Sequence, residues 1–136
     1  MTVDEVREFA RSNHHAVLAT RRRDGGVQMS PVAVVLDEGG SLIVSSRETA
    51  VKTLNLRRDP RASVCLLNDR FFGAWAYAEG PATIESLPDA MDGLVRYYRT
   101  GFGEHPDWDD YRAAMVREKR VLIRIGIERA GPTRQG

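Results

Sequence analysis

Short apolar segments joined by tight turns constrain the fold of this chain most strongly. Strand-like stretches read "HAVLATRR", "VQMSPVAVVLD" and "SLIVSS", and the turn signals "RDGG" and "EGGS" separate them. "RASVCLLN", "FFGAWAYAEGPATIES" and "RVLIRIGIER" have the same character. Because the strands come mostly as adjacent hairpins, an antiparallel sheet is favoured over βαβ winding. We expect a mostly β fold with flanking helices, in which six antiparallel strands close into a small barrel.

Four helices are expected beside these strands, at residues 3–12, at 49–58, within "SLPDAMDGLVRYYRT" and within "HPDWDDYRAAMVREKR". Thr2 and Glu5 have the spacing of a capping box at the start of the first helix. Thr49 is the expected cap of the second helix. The last six residues, 131–136, are expected to form a loose tail.

The composition is that of one globular domain spanning residues 1–136, with 42% hydrophobic and 29% charged residues. The net charge of +1 argues against general polyanion binding. The single cysteine, Cys65, rules out an internal disulfide and fits a reducing cytoplasm. No apolar run reaches the ~20 residues of a membrane helix, and the acidic N-terminus is unlike a secretory signal. We therefore expect a cytoplasmic protein that does not bind membranes.

Positive charge is concentrated between residues 51 and 61, and Lys52 is its most informative member. Lys52 falls in the first turn of a predicted helix, where free N–H groups and the helix dipole already favour an anion. Hydroxyls of Ser45, Ser46 and Thr49, together with the Lys52 ammonium, would form a phosphate cradle. The alternative is a solvated lysine beside a capping threonine, and residue chemistry leaves both interpretations open.

Other chemistries find less support in the sequence. Arg58 and Arg61 are better explained by structural or surface roles, and no basic face or nucleic-acid-binding motif is recognisable. Adjacent His14 and His15 would point to opposite faces of a strand, so they cannot chelate one metal together. No cluster of metal-ligating residues has the spacing of a metal site, so no metal is expected.

Two strands carry further candidate positions. Gln28 and Ser30 lie early in the second strand, where they either line a ligand pocket or form an outward polar pair. Ala74, Ala76 and Ala78 alternate with larger residues along the fifth strand. Small residues on one face indicate that another sheet, a second subunit or a flat ligand packs closely against it.

The run "KTLNLRRDPRASV", followed by "AEGPATI" and "GEHPDWDDYRAAMVREKRVLI", resembles a known family. The chain is similar, from about residue 14 to 127, to the pyridoxamine-phosphate-oxidase-like split β-barrel proteins. Within them it resembles the actinobacterial deazaflavin-dependent group that uses coenzyme F420 (the FDOR-B type). The opening pattern of the family is also present, at Leu18–Thr20, Asp24-Gly25 and Gln28–Val32.

The resemblance implies a homodimer that binds its cofactor in a groove between two barrels. Lys52 would hold the cofactor phosphate with Ser45, Ser46 and neighbouring residues, and Gln28 and Ser30 would line the ring pocket. A segment of the partner subunit would lie across the cofactor. The cofactor-binding residues implied are Gln28, Ser30, Ser45, Ser46, Arg47, Ala50, Val51, Lys52 and Asn55, with Gly73, Ala74, Trp75 and Ala76 of the partner subunit.

The same resemblance implies an oxidoreductase that transfers a hydride from reduced F420 to a conjugated or electron-poor small-molecule acceptor. No catalytic side chain is assigned. Two alternatives share the fold: an FMN-binding oxidase or reductase, and an F420-binding protein without catalysis. The chain departs from true pyridoxamine-phosphate oxidases in lacking their Arg-Leu-x-Pro type ending, which disfavours that substrate. Close relatives also carry a basic residue where Ala50 stands, although Arg47 is nearby.

Overall fold

The computed structural model describes residues 1–133 and contains four helices and eight strands within them. Their bounds, in chain order, are α1 Val3–Ser12, β1 His15–Arg21, β2 Val27–Ala33, β3 Val35–Leu36, β4 Leu42–Arg47, α2 Val51–Arg58, β5 Arg61–Leu67, β6 Trp75–Glu85, α3 Met91–Phe102, α4 Trp108–Arg117, β7 Arg120–Ile125 and β8 Arg129–Gly131.

The strands form one curled antiparallel sheet in the order β2-β1-β5-β6-β7-β4-β3, with β8 paired to β6. The predicted antiparallel, mostly β fold with flanking helices is therefore confirmed. Strand β6 is the longest, and its residues 75–81 pair with β5, while residues 77–79 pair with β8 and residues 82–85 pair with β7.

The count of six strands was wrong because two predicted strands are interrupted. The second one breaks at Val34, whose N–H donates to the His14 carbonyl at 2.7 Å, and β3 then turns away to pair with β4. The last one breaks at Gly126. Gly131, expected in a loose tail, belongs to β8 and pairs with Tyr77, whereas residues 134–136 of that tail lie outside the described residues.

The core has two parts, one on each face of the β4–β7 region. The inner part fills the curled sheet, and α1 covers it by inserting Val6 and Ala10, both fully buried. The expected capping box of α1 is present, since Thr2 and Glu5 bond each other's backbone N–H groups. The outer part packs α3 and α4 against the outer face of β4 and β7.

The small side chains of β6 are explained by the inner core of the chain itself. Ala76 and Ala78 are fully buried in that core, and Gly80 follows them on the same face. A Cβ at Gly80 would lie 1.7 Å from the Gly126 carbonyl oxygen, so the backbone at the β7–β8 connection approaches β6 closely. The neighbour of this face at Ala76, Ala78 and Gly80 is thus the chain's own curled sheet and inner core, which was not among the three neighbours expected from the sequence.

Candidate functional site

Lys52 lies in the first turn of α2, directly after the end of β4. The N-cap of α2 is Ala50, whose N–H donates to the Arg47 carbonyl at 3.1 Å, and the cap makes no side-chain hydrogen bond. The prediction that Thr49 caps this helix was therefore wrong, because the helix begins later than expected. Val51, the first residue of the helix, is 54% exposed. The N-terminus of α2 thus presents backbone N–H groups without a competing side-chain acceptor.

The Lys52 ammonium is half-buried and turned toward β2. It donates to the Ser30 hydroxyl at 3.3 Å, and no ion pair joins it to a carboxylate of residues 1–133. Burial lowers the pKa of Lys52, and the nearby positive charge of Arg120 lowers it further. A half-buried cation whose partner is a neutral hydroxyl is under-compensated, so this position favours an incoming anion.

Two arginines extend the positive charge from Lys52. Arg47 ends β4 and Arg120 begins β7, and the antiparallel register pairs them directly. Both donate to Glu118, Arg120 at 2.8 Å from Nη2 and Arg47 at 3.4 Å. Arg47 and Arg120 therefore share the carboxylate of Glu118, whereas Lys52 contacts a neutral hydroxyl. The positive charge of these three cations exceeds the charge of that carboxylate by two.

The two serines of β4 differ in their availability. Ser46 is buried, and its hydroxyl is hydrogen-bonded to the Thr53 hydroxyl at 3.0 Å. Thr53 also bonds the Arg47 carbonyl, at 2.6 Å, which ties α2 to the end of β4. Ser45 is half-buried on the opposite face, near Tyr97. Burial raises the pKa of Tyr97, and a hydrogen bond with the Ser45 backbone partly offsets this rise. Of the three hydroxyls proposed for a phosphate cradle, that of Ser46 is engaged inside the protein, whereas Thr49 is exposed.

Asn55 and Gln28 belong to a polar chain that joins α2 to β1 and β2. Asn55 is 4% exposed, and its amide donates to Thr20 at 3.1 Å and accepts from Arg58 at 3.2 Å. Thr20 in turn donates to the Gln28 amide oxygen at 3.2 Å. Since every polar atom of Asn55 has a partner, its position is explained by packing of the helix on the sheet.

The segment Gly73–Ala76 lies at the far end of the β5–β6 hairpin from α2. Trp75 pairs with Leu67, at the end of β5, whereas β5 begins at Arg61, three residues after α2. Ala74 is exposed, but the Ala76 side chain is buried in the inner core. A single chain therefore does not bring this segment to Lys52.

Exposed apolar side chains lie on both elements that carry Ser30 and Lys52. Val27 and Met29 lie on β2, with Met29 66% exposed, and Val51 and Leu54 lie on α2. Val27 and Met29 alternate with Ser30 along the strand, so they face the opposite side of β2 from the Lys52 contact.

Two cavities lie elsewhere on the surface. The larger, of about 580 Å³, lies between α3 and the outer face of β3, β4 and β7, with Ile43 and Leu122 in its lining. The smaller, of about 200 Å³, lies beside Thr20 and Arg61. Lys52 lines neither of them. No helix within residues 1–133 is both long enough and apolar enough to cross a bilayer.

Arg58 and Arg61 have structural partners. Arg58 donates to the Arg21 carbonyl at 2.6 Å, and Arg61 donates to Glu128 at 3.0 Å. These contacts link α2 and β5 to their neighbours and agree with the structural role expected of both arginines.

Comparison with known proteins identifies the family. The family model described as pyridoxamine 5'-phosphate oxidase matches residues 2–133. The chain belongs to this family. The match covers the curled sheet, all four helices and the whole Lys52 region, so the family extends over both parts of the core.

Solved structures similar to this chain belong to proteins that have different names and roles. The conserved hypothetical protein Rv2991 from Mycobacterium tuberculosis is 26% identical, with 96% of this chain and 82% of that chain covered and a TM-score of 0.75. A structure described as an F420 reductase is 17% identical over 91% of this chain and 94% of that one, with a TM-score of 0.70. HutZ, the heme storage protein from Vibrio cholerae, is 16% identical over 96% and 94%, with a TM-score of 0.69. The last two establish a shared fold.

Sequence reasoning missed three residues that shape the site of this family member: Thr53, Glu118 and Arg120. Thr53 lies next to Lys52 in the chain, and a threonine inside a short helix after a strand signals a hydroxyl that bonds nearby backbone. Glu118 and Arg120 lie more than sixty residues from Lys52. Only the pairing of β4 with β7 brings them to it.

Proposed function

We propose that this chain binds coenzyme F420 and transfers a hydride from the reduced cofactor to a conjugated or electron-poor small molecule. The observation that carries the proposal is the half-buried Lys52 ammonium, which contacts the neutral Ser30 hydroxyl and lies beside Arg120. An anionic group of the cofactor would complete this site. The family and a structural neighbour described as an F420 reductase support the proposal.

The residues present fit a cofactor phosphate. Lys52 would supply the principal charge-assisted hydrogen bond, with Arg47 and Arg120 adding positive charge and the N-terminal N–H groups of α2 adding donors. Ser30 would orient the Lys52 ammonium, and Gln28 would lie toward the ring. When bound, reduced F420 supplies a hydride from C5 of its deazaflavin, and the protein supplies binding and orientation.

The proposed assembly is a homodimer with the cofactor groove between its two subunits. The side chains of Val27 and Met29 on β2 and of Val51 and Leu54 on α2 are exposed, and a second copy would cover them. In the proposed groove, Gly73, Ala74 and Trp75 of the partner subunit lie across the cofactor. The Ala76 side chain belongs to the core of its own chain, so that residue would contribute backbone alone.

FMN is the second candidate cofactor, because the positively charged site would accept a phosphate from either molecule. The chain belongs to the pyridoxamine 5'-phosphate oxidase family, and this membership favours a flavin as cofactor. With FMN, the chain would act as an oxidase or flavin reductase. A chain that binds F420 without turnover is the third possibility, and an acceptor screen separates it from the enzyme.

Parallel titrations of the purified protein with F420 and FMN test the proposal, with Trp75 and Trp108 emission as the readout. We expect tighter binding of F420, and we expect Lys52→Ala to weaken it by about 1.5–3 kcal/mol. Oxidation of reduced F420 by candidate acceptors then tests catalysis. Preferential FMN binding, or F420 binding that Lys52→Ala leaves unchanged, would contradict the proposal.

A further inference from the structure

Glu118 is the carboxylate that two guanidinium groups share beside Lys52. It accepts from Arg120 at 3.0 Å (Nε) and 2.8 Å (Nη2), and from Arg47 at 3.4 Å. Arg120 in turn lies close enough to Lys52 to affect its ammonium. We call Arg47, Lys52 and Arg120 the cation cluster. Glu118 provides a negative charge in contact with this cluster.

The α4–β7 turn places this carboxylate with unusual backbone geometry. Lys119, between Glu118 and Arg120, has a φ of 53°, which non-glycine residues rarely adopt. Its carbonyl accepts from the Glu48 N–H at 2.8 Å, so the turn is docked on the segment that joins β4 to α2. The strained residue therefore holds Glu118 and Arg120 side by side against Arg47.

The contacts of Glu118 put it in competition with any anion that the cation cluster binds. Its carboxylate occupies donors of Arg47 and Arg120 that would otherwise be directed at a ligand. The Glu118 side chain is 26% exposed, so its carboxylate can move away from these donors and be solvated by water. The pKa of Glu118 is held below its ordinary value by Arg120, so it stays ionised near neutral pH.

We propose that Glu118 is an internal counter-anion, exchanged for the anionic group of the cofactor, and that it thereby sets which ligands the site accepts. A phosphate-bearing ligand displaces the carboxylate from Arg47 and Arg120, whereas a ligand without strong negative charge does not. Glu118 is a specificity-determining residue, and its presence lowers affinity for every anion. This inference rests on the proposed anion site at Lys52.

A purely structural role for Glu118 leads to the opposite expectation. If the carboxylate held the two guanidiniums in their binding orientation, its removal would loosen them and weaken anion binding. If it competes with the ligand, its removal strengthens binding. The sign of the change therefore distinguishes the two roles.

Calorimetric titration of wild-type protein and Glu118→Gln with F420, and separately with inorganic pyrophosphate, tests the inference. The amide keeps the size and an acceptor oxygen but removes the charge. We expect roughly two- to fivefold tighter binding of both ligands, the range of a partly exposed ion pair. Binding to the variant should also weaken more steeply with added salt, because the cluster carries one more net positive charge.

Glu8→Gln is the matched control, since it removes the same charge from an exposed pair with Arg11 on α1. It should leave both affinities unchanged. Glu118→Ser serves as the second variant if Glu118→Gln does not fold.

Weaker or unchanged anion binding in the Glu118 variants would overturn the inference. Pyrophosphate binding that tightens in the variant, with no F420 binding in either protein, would retain it while rejecting the F420 function. No binding of either ligand to either protein would reject both.

Discussion

The chemistry of the candidate site depends most on the ammonium of Lys52. Burial and the neighbouring Arg120 both lower its pKa, because each disfavours the charged form. A bound phosphate acts in the opposite direction and favours the ammonium. Ligand affinity and the protonation of Lys52 are therefore linked, and each can be used to measure the other.

Cofactor affinity is expected to fall as the pH rises through the lowered pKa of Lys52, since only the protonated form provides a charge-assisted hydrogen bond. The loss should begin at a lower pH than for an ordinary lysine. Lys52→Arg is the matched comparison, because guanidinium does not titrate in this range. Dissociation constants measured from neutral to alkaline pH should rise for wild type and stay level for the variant; parallel curves would remove Lys52 from the site.

At the scale of elements, helix α2 is held to the sheet by buried polar side chains in its first turn and in its middle. Thr53 joins its first turn to the end of β4, and Asn55 joins its middle to β1 through Thr20. These contacts set the position of Lys52 between β2 and β7. The helix therefore serves as the support of the site as well as its source of positive charge.

Asn55→Ala is expected to destabilise the protein by about 1–3 kcal/mol, because it leaves the buried hydroxyl of Thr20 without its donor. Denaturant unfolding followed by circular dichroism measures this change. In the folded variant, cofactor affinity should stay near the wild-type value, since Asn55 is buried away from the ligand. A large loss of affinity without a loss of stability would place Asn55 in the cofactor site instead, as the family resemblance implies.

At the scale of the whole molecule, the two halves of the proposed groove are separated in space within one chain. Lys52 follows β4, whereas Trp75 begins β6 at the distant end of the β5–β6 hairpin. If two copies pack antiparallel about a two-fold axis, the Lys52 end of each copy would meet the Trp75 end of the other. The proposed homodimer would thus contain two composite sites.

Mixed dimers test this arrangement. Lys52→Ala and Trp75→Ala chains should each bind F420 weakly alone, but unfolding and refolding them together should restore wild-type affinity at one site in each mixed dimer. That site combines Lys52 of one chain with Trp75 of the other. Titration of the mixture should therefore show a tight fraction of about a quarter of all sites, from random pairing. If both residues acted within one chain, the mixture would contain no tight fraction.

Local features of this protein were predictable from the amino-acid sequence. Strand-like segments joined as adjacent hairpins predicted an antiparallel sheet, Thr2 and Glu5 predicted the cap of α1, and the position of Lys52 after a strand predicted a cation at a helix start. Each of these follows from neighbours within a few residues, where backbone periodicity and capping chemistry operate.

Contacts between residues that are distant in the sequence could not be predicted and depend on the folded chain. The break at Val34, the inward direction of Asn55, and the pairing of Arg47 with Arg120 all depend on strand register between distant segments. Register is set by the simultaneous burial of many side chains, so no short stretch of sequence encodes it. For that reason Lys52 was predicted from the sequence, whereas the carboxylate and guanidinium beside it were not.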